Sequence, residues 1–91
     1  MRLNPKNVLA HIDLGVALSK KSDWNGMIAE EREALKLNPK ADFAHYALGV
    51  GLEQTGNRDE ALQEYRAAYE LNPKNPNYQK AYDRLLKGAK R

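Results

Sequence analysis

The residues of this 91-residue chain whose types could do chemistry are two histidines, one inward-facing glutamate and a late run of cations. His11 and His45 are the only histidines, and there is no cysteine. Hydrolytic chemistry needs a nucleophile beside a base, and a zinc centre needs histidines or cysteines at short, regular spacing. Neither pattern occurs, nor does a glycine loop that could cradle a phosphate. His11 and His45 fall in equivalent slots one repeat apart. They should stack in neighbouring units as semi-buried packing residues rather than converge on one substrate. The chain is expected to be no enzyme and to hold no metal or cofactor.

Glu31 falls on the inner side of a predicted helix, where a carboxylate is costly unless it reaches water or a partner. Either it bends out to solvent and leaves the first hairpin looser, or it pairs with His45 of the next helix. The cations lie late. Residues 76–91 carry Lys80, Arg84, Lys87, Lys90 and Arg91 against Asp83, a net +4, so the rest of a +3 chain carries −1. Such a segment reads as a solvated helix face or as an anchor for an acidic partner. Nucleic acid binding would need basic and aromatic residues mixed on one face, which is not seen. No apolar run approaches the ~20 residues of a membrane span. The N-terminus lacks the apolar stretch of an export signal. No membrane role is expected, and a cytoplasmic setting is favoured. The absence of cysteine leaves the redox compartment open.

The elements that must position these residues are set by a repeat. Leu-Asn-Pro-Lys stands at residues 3–6, 37–40 and 71–74, so Pro5, Pro39 and Pro73 are 34 residues apart. A fixed period marked by a chain-breaking proline indicates a helical repeat array. The length suits one small domain. Residues 1–7 read as the end of a truncated preceding repeat, 8–41 as the first repeat, 42–75 as the second, and 76–91 as a capping helix. Within the first repeat, a helix is predicted from Val8 to about Lys21, with Asn7 as N-cap and His11, Leu14, Gly15 and Leu18 on its core face. A second should run from Trp24 to Leu37 with Met27, Ile28, Glu31, Ala34 and Leu35 inward. The second repeat restates this. One helix runs from Asp42 to Thr55 through His45, Leu48, Gly49 and Leu52, and another from Arg58 to Leu71 through Ala61, Leu62, Tyr65 and Ala68. Gly56 and Asn57 should form a left-handed C-cap followed by an N-cap. Asn75-Pro76 opens a last helix with one apolar stripe: Tyr78, Ala81, Tyr82, Leu85, Leu86 and Ala89.

Leu48-Gly49, Ala61, Tyr65, Ala68 and Pro73 resemble the tetratricopeptide repeat pattern of Leu-Gly, small Ala, aromatic, Ala and closing Pro. His45 and Leu52 depart from its aromatic slots. The first repeat matches at Leu14-Gly15, Ala34 and Pro39, with His11 and Leu18 at aromatic slots, Met27 at the small slot and Glu31 at the second-helix aromatic slot. The resemblance covers residues 3–91. It implies an all-α fold of five helices, in which antiparallel helix-turn-helix units stack in a right-handed superhelix with a concave groove.

A second apolar stripe, Leu9, Ile12 and Val16, recurs at Phe43, Tyr46 and Val50. In the family's geometry these slots line the groove, and the matching slots of the last helix are Asn77, Lys80 and Arg84. The resemblance therefore implies a groove apolar at one end and basic at the other. Three readings compete. A peptide or partner segment, with acidic groups near Lys80 and Arg84, is bound in the groove. Two copies of the chain associate through it. Or neighbouring repeats of a larger protein cover it. Some family members hold a C-terminal carboxylate with basic groove residues. The matching slots here are Ile12, Val16, Ala47, Asn77 and Ala81, none of which carries charge, so that activity is not expected.

Overall fold

A computed structural model describes residues 5–88. Residues 1–4 and 89–91 lie outside it, and with them Leu3-Asn4, Ala89, Lys90 and Arg91. Five helices follow in order: α1 (Pro5–Lys20), α2 (Trp24–Leu37), α3 (Asp42–Gln54), α4 (Arg58–Leu71) and α5 (Pro76–Gly88). No strand occurs among the described residues. None of these helices is long and apolar enough to cross a membrane.

Their ends follow from local chemistry. Asn38 and Asn72 close α2 and α4 by donating their backbone N–H to the carbonyls of Ala34 and Ala68 (2.8 and 3.0 Å). Both then take extended backbone at ψ 94° and 76°, because the ring of the next residue, proline, crowds the helical region. Asp23 caps α2, its carboxylate accepting from the Gly26 N–H at 3.0 Å. Gly56 turns the second hairpin at φ +88°. Thirty-four residues earlier Ser22 makes the same left-handed turn at φ +60°, without glycine's freedom.

Two expected boundaries differ. Helix α1 begins at Pro5, so Asn7 lies in its first turn and is not the N-cap. Proline is at home there, since the first turn has no acceptor for the N–H it lacks. Asn57 precedes α4 but makes no side-chain cap. Its Nδ2 donates instead to Thr55 Oγ1 at 3.0 Å.

Helix α1 packs on α2, α3 on both α2 and α4, and α5 on α4, while α1 and α3 touch along one side. The main core joins Leu48, Leu52, Ala61, Tyr65, Ala81 and Leu85. A smaller one joins Val8, Ile12, Ala34 and Ala44. The structure corrects the expected core face of α1. Leu14 is 48% exposed while its counterpart Leu48 is 2% exposed. The cause is position in the stack: α3 has α2 lying against it, whereas nothing described lies against that side of α1.

Candidate functional site

Of the predicted groove residues, Leu9, Ile12 and Val16 lie on α1, Phe43, Tyr46 and Val50 on α3, and Lys80 and Arg84 on α5, with differences in burial. Leu9 and Phe43 are 58% and 42% exposed. Val16, Tyr46 and Val50 are half-buried, and Lys80 and Arg84 are exposed. Ile12 is 7% exposed and belongs to the smaller core beside Ala34 and Ala44, because α1 presents this residue to α2 and α3. An apolar pocket of about 370 Å³ opens between the N-terminal halves of α1 and α3, lined by Val8, Leu9, Ile12, Asn38, Ala41, Asp42 and Phe43. Val8, Asn38, Ala41 and Asp42 were missed from the sequence, although the Asn-Pro terminator placed Asn38, Ala41 and Asp42 at the mouth of α3.

Tyr46 is the hub of the groove floor. Its ring centroid lies 6.0 Å from Phe43, 5.7 Å from Tyr65 and 5.2 Å from Tyr78, all tilted. Such pairs add to plain area burial, so this side chain is partly core. Two hydrogen-bonded knots hold the floor. Asp42 accepts from the Tyr78 hydroxyl at 3.0 Å and from Asn72 Nδ2 at 3.3 Å. Burial pushes the Tyr78 phenol up to about 12, and the Asp42 bond adds to this. Glu53 accepts from the Tyr65 hydroxyl at 2.8 Å and from both terminal nitrogens of Arg84 at 2.6 and 2.8 Å.

This second knot corrects the expected charge at the far end of the groove. Arg84 is gripped in a bidentate pair by Glu53, which lies 31 residues earlier and on another helix. The guanidinium holds the Glu53 carboxyl below its ordinary range, and the Tyr65 hydroxyl helps. The carboxylate in turn raises Arg84 further above its ordinary value. A paired guanidinium offers little to a new anion. Among the described residues Lys80 makes no ion pair, so it is the available cation of the two predicted.

The histidines occupy equivalent places on α1 and α3, and each has an acid. His11 Nδ1 and His45 Nδ1 lie 2.7 Å from Glu30 and Glu64. The glutamates themselves are 34 residues apart, a signal present in the sequence but unread. His45 also bonds the Pro39 carbonyl through Nε2 at 2.7 Å, so both ring nitrogens are engaged and none is free for catalysis. The Glu64 bond raises His45 above its ordinary value against the opposing effect of burial. Of the two alternatives for Glu31, the pair with His45 is absent, since His45 is bonded to Glu64 and Pro39. Glu31 does not reach solvent either: it is 0% exposed. Among the described residues no group of three or more metal-ligating side chains converges.

Residues 42–75 match the model of the tetratricopeptide repeat family. No curated protein matches the chain by sequence. Among solved structures, the chain is similar to the C-terminal tetratricopeptide-repeat domain of a Plasmodium falciparum FK506-binding protein. The identity is 25% over 92% of this chain and 56% of that one, with a TM-score of 0.84. It is also similar in fold to the first such domain of Spaghetti (RPAP3), solved with the HSP90 peptide SRMEEVD. There the identity is 17% over 97% of this chain and 70% of that one, with a TM-score of 0.90. The chain thus spans just over half the length of the first of these structures. Its five-helix architecture is that of these repeat domains, a class of protein-interaction modules.

Proposed function

We propose, for a chain whose second repeat belongs to the tetratricopeptide repeat family and whose fold is that of such domains, a non-catalytic interaction module that binds a peptide or partner segment in its concave groove. The observation that carries this is the apolar pocket beside exposed Leu9 and Phe43. A cavity of about 370 Å³ suits one large apolar side chain of a partner, with the floor of Phe43, Tyr46 and Val50 receiving the next. The peptide held by the RPAP3 domain supports a peptide occupant. Its acidic character does not carry over, because Ile12, Val16, Ala47, Asn77 and Ala81 offer no cation to a terminal carboxylate. An acidic group of the partner would meet Lys80 rather than Arg84.

A library of apolar-anchored peptides, read by fluorescence polarisation, tests the reading. Leu9→Ser removes exposed surface and should change stability by no more than about 0.5 kcal/mol, whereas Phe43→Ser also gives up its contact with Tyr46 and should cost about 0.5–1.5 kcal/mol. Each is expected to weaken binding tenfold or more. Binding unchanged in both variants, or no binder in the library, would sink the groove.

A different observation favours a second reading, a structural repeat segment of a larger array. Ala44, Leu48 and Gly51 of α3 are buried against the preceding hairpin, where a Cβ at Gly51 would stand 2.9 Å from Ile28. Their counterparts on α1, Ala10, Leu14 and Ala17, are all exposed. The same small-Leu-small face is suited to the same partner, the second helix of another such hairpin. Leu14→Asp should leave this chain's stability almost unchanged and remove any concentration-dependent rise in light-scattering mass. A rise that persists in Leu14→Asp would place self-association elsewhere.

A further inference from the structure

Among the described residues, Glu31 is the charged-type side chain sealed inside the molecule, and neither of its oxygens has a hydrogen-bond partner. Its counterpart in the second repeat is Tyr65, which lies across Gly49 and sends its hydroxyl to Glu53 under Arg84. Glu31 lies across Gly15 in the same way, its Oε2 filling the notch where a side chain would start. The supporting groups have no equivalents there. Position 19 is Ser19, whose hydroxyl donates to the Val16 carbonyl at 2.6 Å, and the slot of Arg84 is taken by Val50.

The neighbouring charges all oppose ionisation or are already engaged. Asp13 of α1 and Glu30 of α2 are negative. His11 is bound to Glu30, and Arg32 to Glu60. On α3, Asp42 is held by Asn72 and Tyr78, His45 by Glu64 and Pro39, and Glu53 by Tyr65 and Arg84. An ionised carboxylate here has neither exposure to solvent nor a counter-ion, whereas a protonated carboxyl is neutral and far less costly to bury.

We propose that Glu31 is a pH device of the first hairpin: held as the neutral acid it lets α1 close on α2, and loss of its proton opens that hairpin while α3–α5 stay folded. Burial pushes its carboxyl up to about 8, with Glu30 and Asp13 acting in the same direction. In the unfolded chain the group loses its proton near 4.5, so the closed hairpin is fully stable below that pH and weakens progressively as pH rises to about 8. Because Leu9 and Val16 ride on α1, opening also removes one wall of the groove. That consequence, unlike the opening itself, rests on the groove reading.

The experiment is amide hydrogen exchange from pH 6 to 9, corrected for intrinsic rates, on wild type and Glu31→Gln. Fluorescence of Trp24, the sole tryptophan, reports on the same hairpin. Protection of α1 and α2 relative to α4 should fall on the order of tenfold or more in wild type, since each unit of displaced pKa corresponds to a tenfold change. It should stay level in Glu31→Gln. Glu31→Tyr, which copies the Gly49–Tyr65 arrangement, should be level too and serves if the glutamine variant does not fold. Equal losses in wild type and variant, or a Glu31 carboxyl carbon that titrates near 4.5 by NMR, would overturn the device. Exchange needs no ligand, so the outcome is separate from the groove: a wild type that opens with pH but binds no peptide at pH 6 keeps the device and loses the groove.

Discussion

Gly49 and Tyr65 interlock in the second hairpin much as Gly15 and Glu31 do in the first. A Cβ at Gly49 would stand 2.7 Å from two ring carbons of Tyr65, a ring fixed by its bond to Glu53 and by Tyr46 above it. Alanine ordinarily favours a helix interior over glycine by about 1 kcal/mol. In this notch the ring would have to shift, so Gly49→Ala should destabilise by about 1–3 kcal/mol in urea unfolding. Tyr65→Phe tests the hydroxyl alone. It leaves Glu53 with Arg84 as partner and should cost about 0.5–1.5 kcal/mol.

At the scale of the elements, the two hairpin turns are a matched pair with unequal chemistry. Gly56 sits at φ +88° where nothing would obstruct a side chain, so its role is purely conformational. Ser22 holds the same place at φ +60° and bears the left-handed penalty of an L-residue, about 1–2 kcal/mol. Ser22→Gly should therefore raise the midpoint of thermal unfolding, by part of that amount because glycine also loosens the unfolded chain. Gly56→Ala should lower it. If Ser22→Gly lowers Tm instead, the turn is held by something other than backbone sterics. Helix α2 has a second local support in the Asp23 cap, and Asp23→Ala should cost about 1 kcal/mol.

For the whole molecule, three displaced groups combine into one pH profile. Glu53 lies below its ordinary 4.5, so its contribution is present above that pH and is lost as pH falls through the lower folded value. His45 lies above its ordinary 6.5, so its contribution is full below 6.5 and is lost as pH rises through the folded value. Glu31 loses stability over the interval from 4.5 to about 8. The three together place maximum stability near pH 4.5, well below the sequence pI of 9.2. Thermal melts every half unit from pH 3.5 to 9 would show it. A plateau extending through pH 8 would contradict the signs of Glu31 and His45, and a plateau extending down to pH 3.5 that of Glu53. The same asymmetry should appear in exchange at fixed pH, with α1 opening first. It has exposed Leu14 on one side and a buried acid under the other, while α3–α5 share the larger core.

The 34-residue proline spacing, the Asn-Pro stops and the period of apolar residues are local properties, acting within a turn or two of helix. They determined five helices, their order and the antiparallel hairpins from sequence alone. The start of α1 escaped because proline serves equally as the end of one helix and the first residue of the next. Burial was legible where a helix has neighbours on both sides, as for Leu48, Leu52 and Tyr65. It was not legible on α1, where the same Leu-Gly pair as in α3 left Leu14 in solvent and drew Ile12 inward, since exposure depends on what lies alongside. The groove stripe was readable as a pattern. Its electrostatics were not: Arg84 and Glu53 meet only when α5 closes over α3, and His45 takes Glu64 of α4 and the Pro39 carbonyl rather than Glu31. Charge pairing depends on distances across helices, which periodicity along a chain does not contain, and so the tertiary structure alone decided which charges remain free and which acid is sealed in.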